Sequence, residues 1–166
     1  MASRSTHSSS APRRVGLISD THGLLRPEVH EALAGVELIL HAGDVGEGVL
    51  DELSLIAPVE AVYGNTDSSR DPRLVREIVR EIGGLTVHVS HGHEVGAPTA
   101  ERLLTRYPHD VILFGHTHRP LVTRADGRLV VNPGAAGPRR FELLPSVGRL
   151  VIDGGRAEVE IISLPV

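Results

Sequence analysis

Seven side chains that can bind metal ions occur in five short segments of this chain, each directly after an apolar stretch. They are Asp20, His22, Asp44, Asn65, His91, His116 and His118. Carboxylates, an amide oxygen and imidazoles form a mixed oxygen and nitrogen ligand set, which suits manganese, iron, nickel or zinc. Seven ligands are too many for one tetrahedral zinc ion but suit two neighbouring ions that share a carboxylate. The side chains therefore predict a two-metal hydrolytic centre.

Asp44 is the candidate for the shared carboxylate, because an aspartate has two oxygens and can bind one ion with each. Asn65 would bind the second ion through a neutral oxygen, which adds no negative charge to repel a phosphate. Two ions about 3.5–4 Å apart can activate a water molecule and hold a phosphoryl group for in-line attack. The predicted reaction is therefore hydrolysis of a phosphate ester.

Short strands and helices alternate in the first part of the chain. Buried strands are predicted over 15–19, 36–41 and 59–63, with helices over 27–33 and 49–56 between them. Strand, helix and strand joined by short links are typical of parallel βαβ units. In an open sheet of this kind, ligands bind beyond the carboxyl ends of the strands. We therefore expect the five segments to meet at one edge of the fold.

The second part of the chain changes from this pattern towards antiparallel strands. A β-hairpin is predicted over 79–90 around the Gly83-Gly84 turn, and its second strand leads to His91. A helix over 99–107 and a strand over 111–114 follow. The remaining strands are predicted near 121–124, 129–132, 147–153 and 156–162. Parallel units followed by antiparallel strands predict an α/β fold.

The composition limits both the class of protein and the kind of site. Of the 166 residues, 40% are hydrophobic and only 2% aromatic, so the core must consist of Val, Leu, Ile and Ala. No cysteine is present, which excludes thiolate zinc sites and a cysteine nucleophile. A net charge of −4 argues against a general nucleic-acid-binding surface. No stretch approaches the roughly 18 apolar residues of a membrane span.

The length predicts one domain, which we expect over residues 13–166. Residues 1–12 are polar and rich in serine, and we expect them to form a disordered tail. They contain no apolar stretch of the kind found in a secretory signal, so a cytoplasmic protein is expected.

Taken together and in this order, the segments resemble the signatures of the calcineurin-like metallophosphoesterases. The resemblance is strongest to a small single-domain group of bacterial and archaeal phosphodiesterases, often called the YfcE or MJ0936 type. It runs from about residue 15 to residue 164 and rests on the segments Ile18–Pro27, His41–Asp44, Gly64–Asp67, Ser90–His93, Gly115–His118 and Asn132–Gly134. It implies a four-layer α/β/β/α sandwich of two mixed sheets, the metallo-dependent phosphatase fold.

The same resemblance divides the candidate ligands between two divalent metal ions. One ion would be bound by Asp20, His22 and His118, and the other by Asn65, His91 and His116. Asp44 would bridge the two ions, and Asn65 would also hold a phosphate oxygen. Manganese is the ion that the resemblance favours, with nickel, iron and zinc as alternatives.

One position departs from the larger phosphatases of this family. Those enzymes have a histidine after the asparagine of the third segment, which is paired with the following aspartate and protonates the leaving oxygen. Thr66 stands in that place here, and a hydroxyl group is a poor acid. The small group lacks this histidine and is associated with phosphodiester cleavage. We therefore expect a phosphodiesterase for small or nucleotide-like substrates, in which His93 or a metal-bound water supplies the proton.

Two other functions remain open for a chain of this pattern. One is a phosphomonoesterase, and the other is a non-catalytic scaffold for protein interaction, like a eukaryotic retromer subunit of the same fold. Relatives form dimers or tetramers, so a homo-oligomer is a further expectation. His41, which precedes Gly43 and Asp44, is expected either to support a ligand or to be a hydrogen-bonded residue at a strand end.

Overall fold

The computed structural model describes residues 11–140 and 142–165. The strands of the first half are β1 (Arg13–Ile18), β2 (Leu38–His41), β3 (Val59–Val62), β4 (Leu74–Val75), β5 (Ile78–Ile82) and β6 (Leu85–Val89). Two short helices, α1 (Glu28–Ala32) and α2 (Val49–Leu53), connect β1 to β2 and β2 to β3. The predicted order of strand and helix is confirmed, although α2 ends before the predicted residue 56.

The second half continues with a 3₁₀-helix over His93–Val95 and a helix α3 (Ala100–Arg106). Its strands are β7 (Val111–Leu113), β8 (Leu121–Ala125), β9 (Arg128–Asn132), β10 (Ser146–Asp153) and β11 (Arg156–Ser163). The hairpin predicted around Gly83-Gly84 is confirmed as the antiparallel pair β5 and β6. Neither the two-residue strand β4 nor the 3₁₀-helix was among the predicted elements.

These strands form two mixed sheets. The first has the order β11-β10-β1-β2-β3-β4, and the second has the order β5-β6-β7-β9-β8. Strands β1 to β4 are parallel, whereas β10 and β11 pair antiparallel at one side of the first sheet. In the second sheet, β6, β7 and β9 are parallel, and the edge strands β5 and β8 are antiparallel. The prediction of two mixed sheets is confirmed.

Three apolar clusters stack these sheets and helices into four layers. The cluster between the sheets contains Leu17 and Leu40 of the first sheet and Leu113 of the second. The adjacent residues Ile18 and Ile112 point to the opposite faces, because side chains alternate along a strand. Helices α1 and α2 cover the outer face of the first sheet, and α3 covers that of the second. The predicted α/β/β/α sandwich is confirmed.

The expected tail over 1–12 lies almost entirely outside the described residues, which begin at Ala11. Ala11 and Pro12 have no regular secondary structure. Among the described residues, no helix has both the length and the apolar character needed to cross a membrane.

Candidate metal centre

The carboxyl ends of five parallel strands bring the candidate ligands to one end of the sandwich. Asp20 lies two residues after β1, and Asp44 and Asn65 lie three residues after β2 and β3. In the second sheet, His91 lies two residues after β6 and His116 three residues after β7. The two sheets therefore both contribute to this site, as expected for the crevice beyond the ends of parallel strands.

The backbone at most of these positions has an unusual conformation. Positive φ angles occur at six non-glycine residues of the described chain, and five are candidate ligands: Asp20, His22, Asp44, His116 and His118. A residue with a side chain rarely adopts this backbone conformation, because it costs free energy. Such residues cluster at functional sites. The sixth residue, Asp126, lies in the turn between β8 and β9. The strain is therefore concentrated at the candidate centre.

Each of the two aspartates has one oxygen held by hydrogen bonds and one that faces the histidines. Oδ2 of Asp20 accepts hydrogen bonds from Ser19 Oγ at 2.6 Å and from the backbone N–H of His116 at 3.1 Å. Oδ1 of Asp20 is buried and has no hydrogen-bond partner among the described residues. Oδ1 of Asp44 accepts a hydrogen bond from the backbone N–H of Thr66 at 3.0 Å. The oxygens Asp20 Oδ1 and Asp44 Oδ2 thus remain for a ligand.

The remaining oxygens lie close to imidazole nitrogens. Asp20 Oδ1 is 3.4 Å from Nε2 of His118 and 3.9 Å from Nε2 of both His22 and His91. Asp44 Oδ2 is 3.3 Å from Nε2 of His91 and 3.7 Å from Nε2 of His22. Two groups of possible metal ligands result, Asp20 with His22 and His118, and Asp20 with Asp44 and His91. Asp44 therefore lies between a member of each predicted ligand set.

The hydrogen bonding of His91 determines which of its nitrogens can bind a metal. Its Nδ1 lies 2.8 Å from the carbonyl oxygen of Ala42, so this nitrogen carries the hydrogen and donates it. Its Nε2 is buried and has no hydrogen-bond partner among the described residues. An imidazole whose other nitrogen donates to a carbonyl group is the usual arrangement of a metal-binding histidine. Nε2 is therefore the nitrogen of His91 that is available to a metal ion.

The charged groups of the site shift the pKa values of their neighbours. Burial alone would lower the pKa of His91, but the carboxylates of Asp44 and Asp20 outweigh it and raise that pKa. Burial likewise opposes the ionisation of Asp44, yet His91 and the N–H of Thr66 hold its pKa below the usual range. The pKa of His116 is lowered by burial and by the neighbouring His91. Ionised carboxylates and an unprotonated His116 are the forms that bind metal ions.

Asn65, His116 and His93 are not fully buried. Asn65 is exposed, but it lies between two residues that touch Asp44, because Thr66 donates to that carboxylate and Gly64 packs against it. The ring centroid of His116 lies 5.1 Å from that of His91. The ring of His93 is 5.3 Å from His91 and 6.2 Å from His116. The structure thus brings all the predicted site residues to one region.

Glycine is required at two positions where loops from different strands meet. A Cβ atom at Gly64 would lie 2.1 Å from Asp44 Oδ1, and one at Gly115 would lie 2.0 Å from Ser19 Oγ. Neither distance is compatible with a side chain, so any larger residue would displace one of the two aspartates. These glycines are therefore part of the geometry of the site.

Asp67 has a structural role that the sequence did not indicate. Its carboxylate accepts hydrogen bonds from the backbone N–H groups of Val45, Gly46 and Gly64 at 2.9–3.2 Å. It therefore ties the loop that follows Asp44 to the loop that carries Asn65. The sequence contained a signal for Asp67 only as the partner of the histidine that Thr66 replaces.

His41 supports the backbone beside the ligands and has both nitrogens bonded. Its Nε2 lies 3.0 Å from Thr21 Oγ1, and its Nδ1 accepts a hydrogen bond from the N–H of Gly43 at 3.1 Å. The Thr21 hydroxyl donates to the carbonyl oxygen of Val45 at 2.6 Å, so Nε2 of His41 is the donor to Thr21. Burial lowers the pKa of His41 to about 4. His41 is thus a neutral, hydrogen-bonded residue at a strand end, as one of the two expectations stated.

Glu94 and Tyr107 form a further support that no sequence signal indicated. Glu94 accepts hydrogen bonds from the N–H of Gly92 at 3.0 Å and from the hydroxyl of Tyr107 at 2.8 Å. Gly92 separates His91 from His93, so this pair fixes the loop that carries both histidines.

The donor set fits divalent metal ions. A buried carboxylate oxygen and a buried imidazole nitrogen, Asp20 Oδ1 and His91 Nε2, face one another at 3.9 Å, and neither has a hydrogen-bond partner among the described residues. Buried polar atoms without partners are costly, and a bound cation would satisfy both.

Comparison with known proteins identifies the family of this chain. The sequence model of the calcineurin-like phosphoesterase superfamily domain matches residues 14–155. The chain belongs to the calcineurin-like phosphoesterase superfamily. It is 39% identical over 160 residues to a probable metallophosphoesterase of Methanothermobacter thermautotrophicus, a match that covers 89% of this chain and 91% of the relative. It is 31% identical over 140 residues to phosphodiesterase MJ0936 of Methanocaldococcus jannaschii, covering 73% of this chain and 82% of that protein.

The fold of this calcineurin-like phosphoesterase is also found in solved structures. Vps29 of Entamoeba histolytica in complex with zinc superposes with a TM-score of 0.73 at 23% identity, over 90% of this chain and 98% of Vps29. At this identity the likeness concerns the fold alone. The family consists of metal-dependent phosphoesterases, a class of hydrolases that act on ester bonds.

Proposed function

We propose that this protein is a phosphodiesterase that depends on two divalent metal ions. Asp20, His22 and His118 would bind one ion, and Asn65, His91 and His116 would bind the other. Asp44 would be shared by the two ions; its Oδ2 is available to them, whereas its Oδ1 accepts the N–H of Thr66. The observation that carries the proposal is the position of Asp44 Oδ2, 3.7 Å from Nε2 of His22 in the first set and 3.3 Å from Nε2 of His91 in the second.

The chain's own residues divide the remaining tasks of the reaction. When bound, two such ions would acidify a water molecule and neutralise charge on a phosphoryl group. The exposed amide of Asn65 holds a phosphate oxygen at the open side of the site. His93 donates the proton to the leaving oxygen, since its ring lies 5.3 Å from His91 and 6.2 Å from His116 and is only partly buried.

A preference for diesters over monoesters is supported by Thr66. Its backbone N–H is used to hold Asp44, and its hydroxyl cannot act as an efficient acid at neutral pH. A leaving group that needs little protonation is then favoured, and a phosphodiester avoids the second negative charge of a monoester. The relative named phosphodiesterase MJ0936 is consistent with this preference.

The test of this function is hydrolysis of bis-p-nitrophenyl phosphate beside p-nitrophenyl phosphate, with metal-stripped protein and added manganese. Turnover that requires manganese and favours the diester is the expected result. A preference for the monoester would support the phosphomonoesterase alternative. If the protein binds manganese but hydrolyses neither substrate, nickel, iron and zinc should be tested next. Inactivity with all four ions would favour the scaffold alternative and contradict the proposal.

We also propose a single domain over residues 13–166 and manganese as the native ion. A cytoplasmic location and a homo-oligomer, either dimer or tetramer, stay predictions. Gel filtration with light scattering measures the oligomeric state directly.

A further inference from the structure

A cavity of about 370 Å³ borders the candidate metal centre on the side of α2. This volume falls within the range of small-molecule sites in proteins. Val45 and Thr66 line the cavity, and each is adjacent in sequence to a candidate ligand, Asp44 or Asn65. The loops that carry Asp44 and Asn65 therefore contribute to the lining of the cavity.

The loop that carries His22 also contacts the lining of the cavity. Gly46, which lines the cavity, packs so closely against Gly23 that a Cβ atom would lie 2.1 Å from the nitrogen of Gly23. Gly23 in turn donates a hydrogen bond to the carbonyl oxygen of Val45 at 2.9 Å. Because Gly23 directly follows His22, the loop that carries His22 packs against the lining of the cavity.

The lining of the cavity combines an apolar base with a charged rim. Val45, Leu50 and Leu74 are buried residues of the base. The rim contains the exposed Glu47, which has no ion-pair partner among the described residues, and the ion pair of Asp71 with Arg73 at 3.4 Å.

The net charge of the rim is negative. Arg73 is shared between Asp71 and Asp51, at 3.4 Å from each. Asp67 also lines the cavity, but backbone N–H groups occupy both of its oxygens. The charge that remains available to a ligand is therefore the carboxylate of Glu47. A negative group of a ligand near Glu47 would be repelled, and a positive group would be attracted.

We propose that this cavity receives the ester group of the substrate that does not leave, and that it selects uncharged or cationic alcohols over anionic ones. This inference rests on the proposed phosphodiesterase function and specifies its substrate class. The apolar base packs against the carbon skeleton of the alcohol, and Glu47 attracts a positive group such as an ammonium. A second phosphate on the alcohol would lie against the acidic rim and is disfavoured.

Three diesters with the same p-nitrophenyl leaving group test this selectivity. They are p-nitrophenyl phosphorylcholine, whose alcohol is cationic, the p-nitrophenyl ester of thymidine 5′-phosphate, whose alcohol is neutral, and the 5′-p-nitrophenyl ester of thymidine 3′,5′-bisphosphate, whose alcohol is anionic. The expected order of kcat/KM places the anionic substrate last.

The variant Glu47→Gln should raise KM for the choline ester by about two- to fivefold, the range of an exposed ion pair, without changing kcat. The same variant should lower KM for the anionic ester. Glu52→Gln is the matched control, because Glu52 belongs to α2, is exposed and contacts His30 instead of the cavity. It should leave all three KM values unchanged.

The outcomes separate this inference from the proposed function. Turnover of all three esters with no effect of Glu47→Gln, or with the anionic ester preferred, overturns the inference and leaves the phosphodiesterase function intact. Absence of turnover with every ester contradicts the phosphodiesterase function. In that case, calorimetric titration of manganese-loaded protein with phosphorylcholine tests the inference. The wild type must bind phosphorylcholine more tightly than Glu47→Gln does. Equal binding, or no binding, overturns the cavity assignment.

Discussion

The Nε2 atom of His91 lies 3.3 Å from the Oδ2 atom of Asp44, while Nδ1 of His91 donates to the carbonyl oxygen of Ala42. With the hydrogen on Nδ1, a nitrogen lone pair and a carboxylate oxygen face each other. This contact is favourable only when a cation, either a proton or a metal ion, lies between the two atoms. The same pair connects the two predicted ligand sets.

Because of this pair, the stability of the metal-free protein should depend on pH. The pKa of His91 is raised in the folded state above its usual value near 6.5, so its stabilising contribution is complete below that value. The contribution is lost as the pH rises through the raised pKa of the folded state. We expect the Tm of chelator-treated protein to fall above pH 6.5 and the fall to be reduced in His91→Gln. Added manganese should restore the Tm, because the ion replaces the proton. A Tm independent of pH between 6.5 and 9 would contradict this.

His41 predicts the opposite sign in a lower pH range. Burial lowers its pKa to about 4, so the unfolded chain binds a proton that the folded chain excludes between pH 6.5 and 4. Stability is therefore lost as the pH falls through this range, by about 3 kcal/mol in total. His41→Gln should be less stable at pH 7 but should lose less stability on acidification. Urea unfolding at pH 7, 5.5 and 4.5 measures both effects, and parallel losses in variant and wild type would refute the assignment.

Asp67→Asn should weaken both the fold and the metal centre. The amide has only one acceptor oxygen for the N–H groups of Val45, Gly46 and Gly64, and its own NH₂ group would face these donors. Leaving such groups unpaired costs about 1–3 kcal/mol, measurable by urea unfolding. The manganese concentration for half-maximal activity should rise about 10–100-fold, as for other residues that orient ligands. Asp51→Asn, at an exposed aspartate of α2 that lies outside the cavity lining, is the control. Equal behaviour of the two variants would remove the role of Asp67.

His93→Ala tests the proton donor. General acid catalysis contributes about 10²–10⁴-fold, and its loss should be greatest for a poor leaving group. We expect kcat to fall by this amount for an alkyl diester and by less for bis-p-nitrophenyl phosphate, with the alkaline limb of the pH profile altered. His30→Ala, on α1 and outside the centre, should behave as wild type. Unchanged turnover and an unchanged pH profile in His93→Ala would eliminate this role.

The sequence predicts the location of the site better than its geometry. Buried parallel strands are short continuous apolar runs, so the ends of β1, β2 and β3 are visible in the sequence. The left-handed backbone at Asp20 and Asp44 is not visible, because it is imposed by loops that meet from different strands. The strand β4 was not predicted, because two residues are too few to show the alternation of apolar and polar side chains.

The supporting hydrogen bonds are also hidden from the sequence. Asp67 contacts N–H groups of a loop 21–22 residues away, and Asp44 receives the N–H of Thr66 across the same two loops. Such contacts depend on how loops pack and not on the type of residue that donates a backbone N–H. For this reason the sequence could identify Asp44 as a bridge but not which of its oxygens faces the histidines.

The number of manganese ions that activity requires tests the two-metal centre directly. Metal-stripped protein is titrated with manganese, and turnover of bis-p-nitrophenyl phosphate is followed together with the metal content of each sample. Activity should rise until two ions are bound per chain, and Asp44→Asn should remain folded but bind fewer ions and be nearly inactive. Full activity with one ion per chain, or wild-type turnover in Asp44→Asn, would contradict the two-metal centre.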